Sequence, residues 1–156
     1  MSNVHAPKIT PFLWFEAEAE AAVAHYTSIF ENSRVVDTMG GGGKVMSVTF
    51  DLSGQRLIAF NGGPHYQLTP AFSLFVSVDS QPELDRIWDA LLSGGGKPTR
   101  CGWLVDRFGL SWQVMPSVLG KLLSDPNPER SSRAVQAMMG MVKLDIAELE
   151  GAAAGG

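Results

Sequence analysis

Cysteine is almost missing from this chain. Cys101 is the only one in 156 residues, so no disulfide can close within the chain, and a reducing, cytoplasmic setting is expected. Runs of like charge are missing too. Twelve basic and sixteen acidic residues leave a net charge of -4 with no basic cluster, which argues against a nucleic-acid partner. No apolar run approaches the roughly 18 residues that a bilayer span requires, so no membrane partner is expected. The opening MSNVHAPK has no apolar segment of a signal peptide. The three histidines, His5, His25 and His65, stand far apart without ligand spacing and read as tail, helix or loop residues. What is present is an ordinary soluble balance, 45% hydrophobic and 18% charged, in a chain of one-domain length, 1–156, able to bury a real core.

An internal repeat organises most of it. In ITPFLWF, Ile9, Leu13 and Phe15 alternate with Thr10, Phe12 and Trp14, the period of a strand. In the segment after it, Ala19, Ala22, Val23, Tyr26 and Phe30 recur at helical spacing, and Glu16, Glu18 and Glu20 crowd the expected first turn. SRVVDTM, KVMSVTFDL, a Ser53-Gly54 turn and RLIAF follow as strands, closed by the punctuator NGGP at Asn61 to Pro64. The second half runs in the same order. Phe72, Leu74, Val76 and Val78 alternate with Ser73, Phe75 and Ser77, and Leu84, Ile87, Trp88, Leu91 and Leu92 make a helical stripe that Gly94 to Gly96 stops. A hairpin pivoting on Gly109 completes it. Gly54 matches Gly109, and RLIAF matches SWQVM.

The order strand-helix-strand-strand-strand thus occurs twice, at about 8–64 and 70–116. The fold class this predicts is α+β: duplicated βαβββ units forming a curved mixed sheet with helices outside, plus a C-terminal helix. That last segment, about 118–150, offers Asp125 or Asn127 as a cap and Pro128 at a first helical position. Val135, Met138, Val142, Ile146 and Leu149 then predict one continuous apolar stripe. It packs either on its own domain or across a subunit boundary. The terminal GAAAGG is expected to be disordered.

The densest stretch is RCGWLVDRFGLSWQVMP, Arg100 to Pro116. Asp106 and Arg107 read as turn residues with a surface charge pair. Trp88 and Trp112 read as core. Gly40 to Gly43 read as a flexible loop between strands, beside a solvated Lys44. The glycines do not open a helix, and Lys44 is followed by Val45 and Met46, which rejects a phosphate-cradling loop. Cys101 has no nearby His or Asp to activate it, so an inert buried thiol is the simpler reading.

Four segments carry a family resemblance: ITPFLWF with AHYTSIF, GKVMSVTFDLSGQRLIAFNGGP, CGWLVDRFGLSWQVMP and RAVQAMMGMVKLDIAELE. Over about Ile9 to Glu150 the chain resembles the vicinal oxygen chelate superfamily of glyoxalases, bleomycin-resistance proteins and ring-cleaving dioxygenases. The closer likeness is to its PhnB-like branch, which carries a demethylubiquinone methyltransferase-like label. His25-Tyr26 departs from that branch's usual Phe-Tyr pair. The resemblance implies a homodimer with a pocket inside each curved sheet. It also implies that metal-using members carry His or Glu at four inward strand positions. Here these fall at Thr10, Ile58, Ser73 and Gln113, none of them a His or carboxylate, so no metal and no other cofactor is expected.

Phe12, Trp14, Phe75 and Met115 share the pocket-facing register, with Cys101 and Trp103 beside it. These side chains either line a ligand site or fill a core, and both readings stand at this point. The leading expectation is a metal-free small-molecule binding protein that takes an apolar or aromatic ligand. The alternative is an enzyme of the same superfamily: a divalent-metal lyase, isomerase or dioxygenase, or a methyltransferase as the label has it. The methyl-transfer reading lacks the Gly-rich strand-to-helix turn that its common form needs. A third reading gives the C-terminal helix an interaction role.

Overall fold

The computed structural model describes residues 6–155; His5 lies outside them. The described residues divide between Leu68 and Thr69 into two compact units, each of which contains the order strand-helix-strand-strand-strand, followed in the second by further helices.

In the first unit, β1 (Phe12–Phe15), α1 (Ala19–Ile29), β2 (Arg34–Gly41), β3 (Lys44–Leu52) and β4 (Gln55–Asn61) form a sheet of order β1-β4-β3-β2. β1 runs parallel to β4 and the other neighbours are antiparallel, as a helical crossover followed by hairpins requires. Alternation sends Leu13, Phe15, Val48, Phe50, Leu57 and Ala59 to the buried side, and α1 packs on β3 and β4 with Ala19, Ala22, Val23, Tyr26 and Ile29 buried. Ile9 precedes β1 and is exposed. The expected acidic first turn is thinner than the sequence suggests: only Glu20 lies in it. The cap comes from far away, because Asn61 Oδ1 accepts from the Ala19 N–H at 2.8 Å.

In the second unit, β5 (Ser73–Val78), α2 (Gln81–Leu92), β6 (Lys97–Pro98), β7 (Trp103–Val105) and β8 (Ser111–Pro116) repeat the pattern as β5-β8-β7-β6. Leu84, Ile87, Trp88 and Leu91 are buried on α2, and Leu104, Trp112 and Val114 on the sheet. Each large apolar side chain so buried contributes about 1.5–3 kcal/mol. The repeat holds at the level of register. Phe12 is opposite Ile58 as Phe75 is opposite Gln113, so Thr10 stands to Ile58 as Ser73 stands to Gln113.

Four expectations need correction. First, Gly40 and Gly41 end β2, and Gly42 and Gly43, both at positive φ, make a two-residue hairpin turn rather than a flexible loop. Secondly, Asp106 is no surface charge: it is 4% exposed. Its Oδ1 accepts from the Phe108 and Leu110 N–H groups, and its Oδ2 accepts from Trp112 Nε1 at 2.8 Å. Arg107 instead lies over the Phe108 ring, 4.5 Å from its centroid. Thirdly, the C-terminal stripe is broken into α3 (Leu119–Leu123), α4 (Pro128–Met139) and α5 (Ile146–Ala154). Gly140 ends α4 and Asp145 caps α5, which leaves Val142 exposed between them. Finally, the tail is helical rather than disordered. α5 runs to Ala154, and Gly155 closes it in the left-handed region that suits glycine.

The C-terminal segment is tied to the second sheet through its backbone. The Cys101 and Gly102 N–H groups donate to Met141 O and Val142 O, both at 2.8 Å. The Gln81 amide uses both ends. Its Nε2 donates to Leu144 O at 3.1 Å, and its Oε1 accepts from the Ile146 N–H at 2.9 Å. Lys143 pairs with Asp85 at 3.0 Å.

Two outcomes follow from these contacts. Asp106→Ala is expected to cost about 3 kcal/mol in equilibrium urea unfolding, because three donors, two of them buried, lose their acceptor together. A loss below about 1 kcal/mol would show that the hairpin does not depend on this carboxylate. The second concerns pH. The hydrogen bond from Gln81, with help from Lys143, holds the Asp85 carboxyl below its ordinary 3.8. A depressed carboxyl stabilises the native state above the unfolded-state value, and that contribution fades as pH falls through the folded one. Asp85→Asn should therefore lower the thermal midpoint at pH 7 and make little difference near pH 2; equal effects at both pH values would refute the coupling.

Candidate functional site

Each sheet keeps one face away from its helix. On the first, that face carries Phe12, Trp14, Ile58 and Phe60, since register pairs Phe12 with Ile58 and Trp14 with Phe60. Trp14 is the centre of an aromatic group. Its ring meets Phe60 edge-on at 5.0 Å and Tyr66 at 4.9 Å, while Phe12 lies 5.2 Å from Phe60. The indole N–H donates to Gly63 O at 3.0 Å. The NGGP turn fits here for a steric reason: a Cβ on Gly62 would strike the Trp14 ring. Phe12 stays 54% exposed. Thr10 precedes β1 and is half-buried. One row along, Arg56 donates to both oxygens of Asp51, at 2.8 and 3.1 Å. This contact, above the others, holds the Asp51 carboxyl below its ordinary value.

The corresponding face of the second sheet is different in character. Gln113 stands between Phe75 on β5 and Trp103 on β7 in one row. The next row holds Ser73, Ser111 and Val105. Gln113 Nε2 donates to Ser73 Oγ at 3.0 Å, across the two rows. Phe75 is 63% exposed. Met115 shares the register but is buried, and its sulfur lies against Gly102, where a Cβ would come within 2.8 Å of it. Cys101 is half-buried at the turn before β7, with φ 54°.

The structure thus brings Thr10, Phe12, Trp14 and Ile58 onto one unit and Ser73, Phe75, Cys101, Trp103, Gln113 and Met115 onto the other. Sequence reasoning passed over Phe60, Tyr66 and Ser111. The match of RLIAF to SWQVM carried a signal for the first, because it puts Phe60 where Met115 falls. Tyr66 lies beyond the strands and had none.

The donor set does not fit a divalent ion. The four positions that metal-using relatives would fill offer two hydroxyls, an alkyl group and a neutral amide. Among the described residues no three His, Cys, Asp or Glu side chains come together. A shallow cleft of about 450 Å³ between α4 and α5 is lined by Arg133, Gln136, Ala137, Ala152 and Gly155. Its one charged side chain is committed to the end of α5, donating to Ala152 O and Ala153 O at 2.9 and 3.0 Å. No described helix is long and apolar enough to cross a membrane.

Comparison with known proteins agrees with this geometry. Residues 7–115 match the family described as 3-demethylubiquinone-9 3-methyltransferase. A putative 3-demethylubiquinone-9 3-methyltransferase, PhnB protein, from Bacillus cereus is 33% identical over 71% of this chain and 100% of its own, with a TM-score of 0.65. Protein PA1353 from Pseudomonas aeruginosa shares the fold at 21% identity, covering 71% of this chain and 98% of its own, TM-score 0.60. The fosfomycin resistance protein FosX from Listeria monocytogenes shares it at 12% identity, covering 70% and 90%, TM-score 0.50. No curated protein matches the chain. The chain belongs to the PhnB-like family described as 3-demethylubiquinone-9 3-methyltransferase, and its duplicated α+β fold is like that of glyoxalase and bleomycin-resistance proteins.

Proposed function

We propose that this protein is a metal-independent binder of a small, flat, largely apolar molecule, which it holds against the open face of its second sheet. One observation carries the proposal: the row Phe75, Gln113, Trp103. It presents two aromatic walls with a neutral amide between them, and that amide is oriented by Ser73. Aromatic side chains bury large area at low conformational cost, and one or two fixed polar groups set ligand orientation. An uncharged Gln113 suits such a ligand and serves poorly as an anchor for a cation. The protein acts in the cytoplasm as a homodimer. The single cysteine supports the first assignment. The second rests on β2, which is exposed along its whole length and displays Val35, Val36 and Met39, apolar surface that favours an intermolecular contact.

Methyl transfer is the second reading, favoured by the family's description. It sits poorly with the glycine run at Gly40 to Gly43, which ends one strand and turns into the next rather than opening a helix beneath a nucleotide.

The neutral fluorophore N-phenyl-1-naphthylamine is expected to bind saturably, with an affinity unchanged by EDTA. Phe75→Ala should weaken it about tenfold, the loss of roughly 1.4 kcal/mol of aromatic contact. Absence of saturable binding would refute the proposal. So would a stoichiometric Ni²⁺ or Mn²⁺ site by calorimetry, and tight S-adenosylmethionine binding would restore the methyltransferase reading.

A further inference from the structure

Ser111 has a position that the binding reading does not use. It opens β8, in register with Ser73 on one side and Val105 on the other, and alternation places it on the same face as Gln113. It is 1% exposed, and its Oγ makes no hydrogen bond to any described residue. A hydroxyl withdrawn from water without a partner is costly to the native state, a cost that a polar atom from outside the chain would remove.

The neighbours indicate what kind of atom. With its Nε2 donating to Ser73 Oγ, the Gln113 amide leaves the Ser73 hydroxyl its own proton to donate. Turning the amide over keeps the balance, since Nε2 then donates outward. Either way the face offers two donors, Ser111 and the Ser73–Gln113 pair, on neighbouring strands. A carbonyl oxygen has two lone pairs and can accept from both. Charge selects further. Lys97 is the cation in register with the Ser111 row, opposite Val105 on β6. It is exposed and stands two strands away, roughly 10 Å by strand spacing. A carboxylate seated at Ser111 would lose its hydration without an adjacent countercharge.

We infer that Ser111, with Ser73 and Gln113, forms a hydrogen-bonding subsite for the neutral carbonyl oxygen of a flat, conjugated ligand such as an aromatic amide, lactam or quinone. The inference rests on the binding reading proposed above and narrows its ligand class. Ser111 is a specificity-determining residue in this assignment, and Phe75 and Trp103 flank the ring.

Calorimetry or ligand-observed NMR with naphthalene, 2-naphthamide and 2-naphthoate tests it on the full chain. The amide is expected to bind at least tenfold more tightly than naphthalene. Ser111→Ala should remove most of that advantage, leave naphthalene unchanged and keep or raise the thermal midpoint, because it deletes an unpaired buried hydroxyl. Ser73→Ala should reduce the advantage in part. Equal binding of naphthalene and the amide would overturn the carbonyl subsite and leave the apolar binding reading standing. Tightest binding by the naphthoate would overturn the preference for a neutral group. Loss of all three ligands in Ser111→Ala, or a fall in its thermal midpoint, would make Ser111 a packing residue instead. Failure of all three to bind the unaltered protein would overturn the binding reading itself, and this inference with it.

Discussion

The second half of the molecule depends on one buried carboxylate. Asp106 lies at the head of the β7–β8 connection and gathers the N–H groups of Phe108 and Leu110 and the indole of Trp112. The Asp106 N–H also donates to Leu110 O, and the Gly109 N–H to Asp106 O. These bonds fix where the turn ends, and the turn fixes the register of β8. A slip of one residue would exchange the faces of Trp112 and Gln113, placing an amide in the core and an indole on the open side. The carboxyl group is thus a registration device, with three donors gathered where water would otherwise stand.

Duplication supplies the frame, and divergence supplies the chemistry. Both units use the same strand order and the same stagger between their first and last strands. The open faces nevertheless differ. At the row that holds Ser73 and Ser111 in the second unit, the first places Arg56, whose guanidinium is bound by Asp51, with Arg34 beyond it at 3.6 Å. That row is satisfied internally. The first unit's following rows set Phe12 beside Ile58 and Trp14 beside Phe60, and the Trp14 indole is already bonded to Gly63.

Period-two and helical spacing made most of the fold legible. They gave the repeat, the two-residue turn at Ser53 and Gly54, the burial of Trp88 and Trp112, and the cap at Asn127, whose side chain accepts from Glu129 and Arg130. The readings that failed did so where a remote partner or a local cap overrode spacing. Asp106 beside Arg107 looks like a surface pair until the hairpin brings Trp112 round to it. The acidic stretch before α1 looks like a capping region, yet the cap is Asn61, remote in sequence. The C-terminal stripe has the right residues for one helix, but Gly140 and Asp145 interrupt it with caps of their own. Of the candidate site, the alternation of Ser73, Phe75 and Gln113 was legible. The burial of Ser111 was not, because a serine opening a strand gives no sign of whether water reaches it.

The family match ends at Met115, yet the fold it describes does not close there in this chain. Cys101 and Gly102 spend their amides on Met141 and Val142, and the start of α2 is held by Gln81 through a side chain that bonds like a length of main chain. The helices after Met115 therefore serve this sheet as an outer selvedge, stitched in where the amides of Cys101 and Gly102 would otherwise lack a partner. With those amides so engaged, the segment cannot be dropped without fraying the cloth it is sewn to.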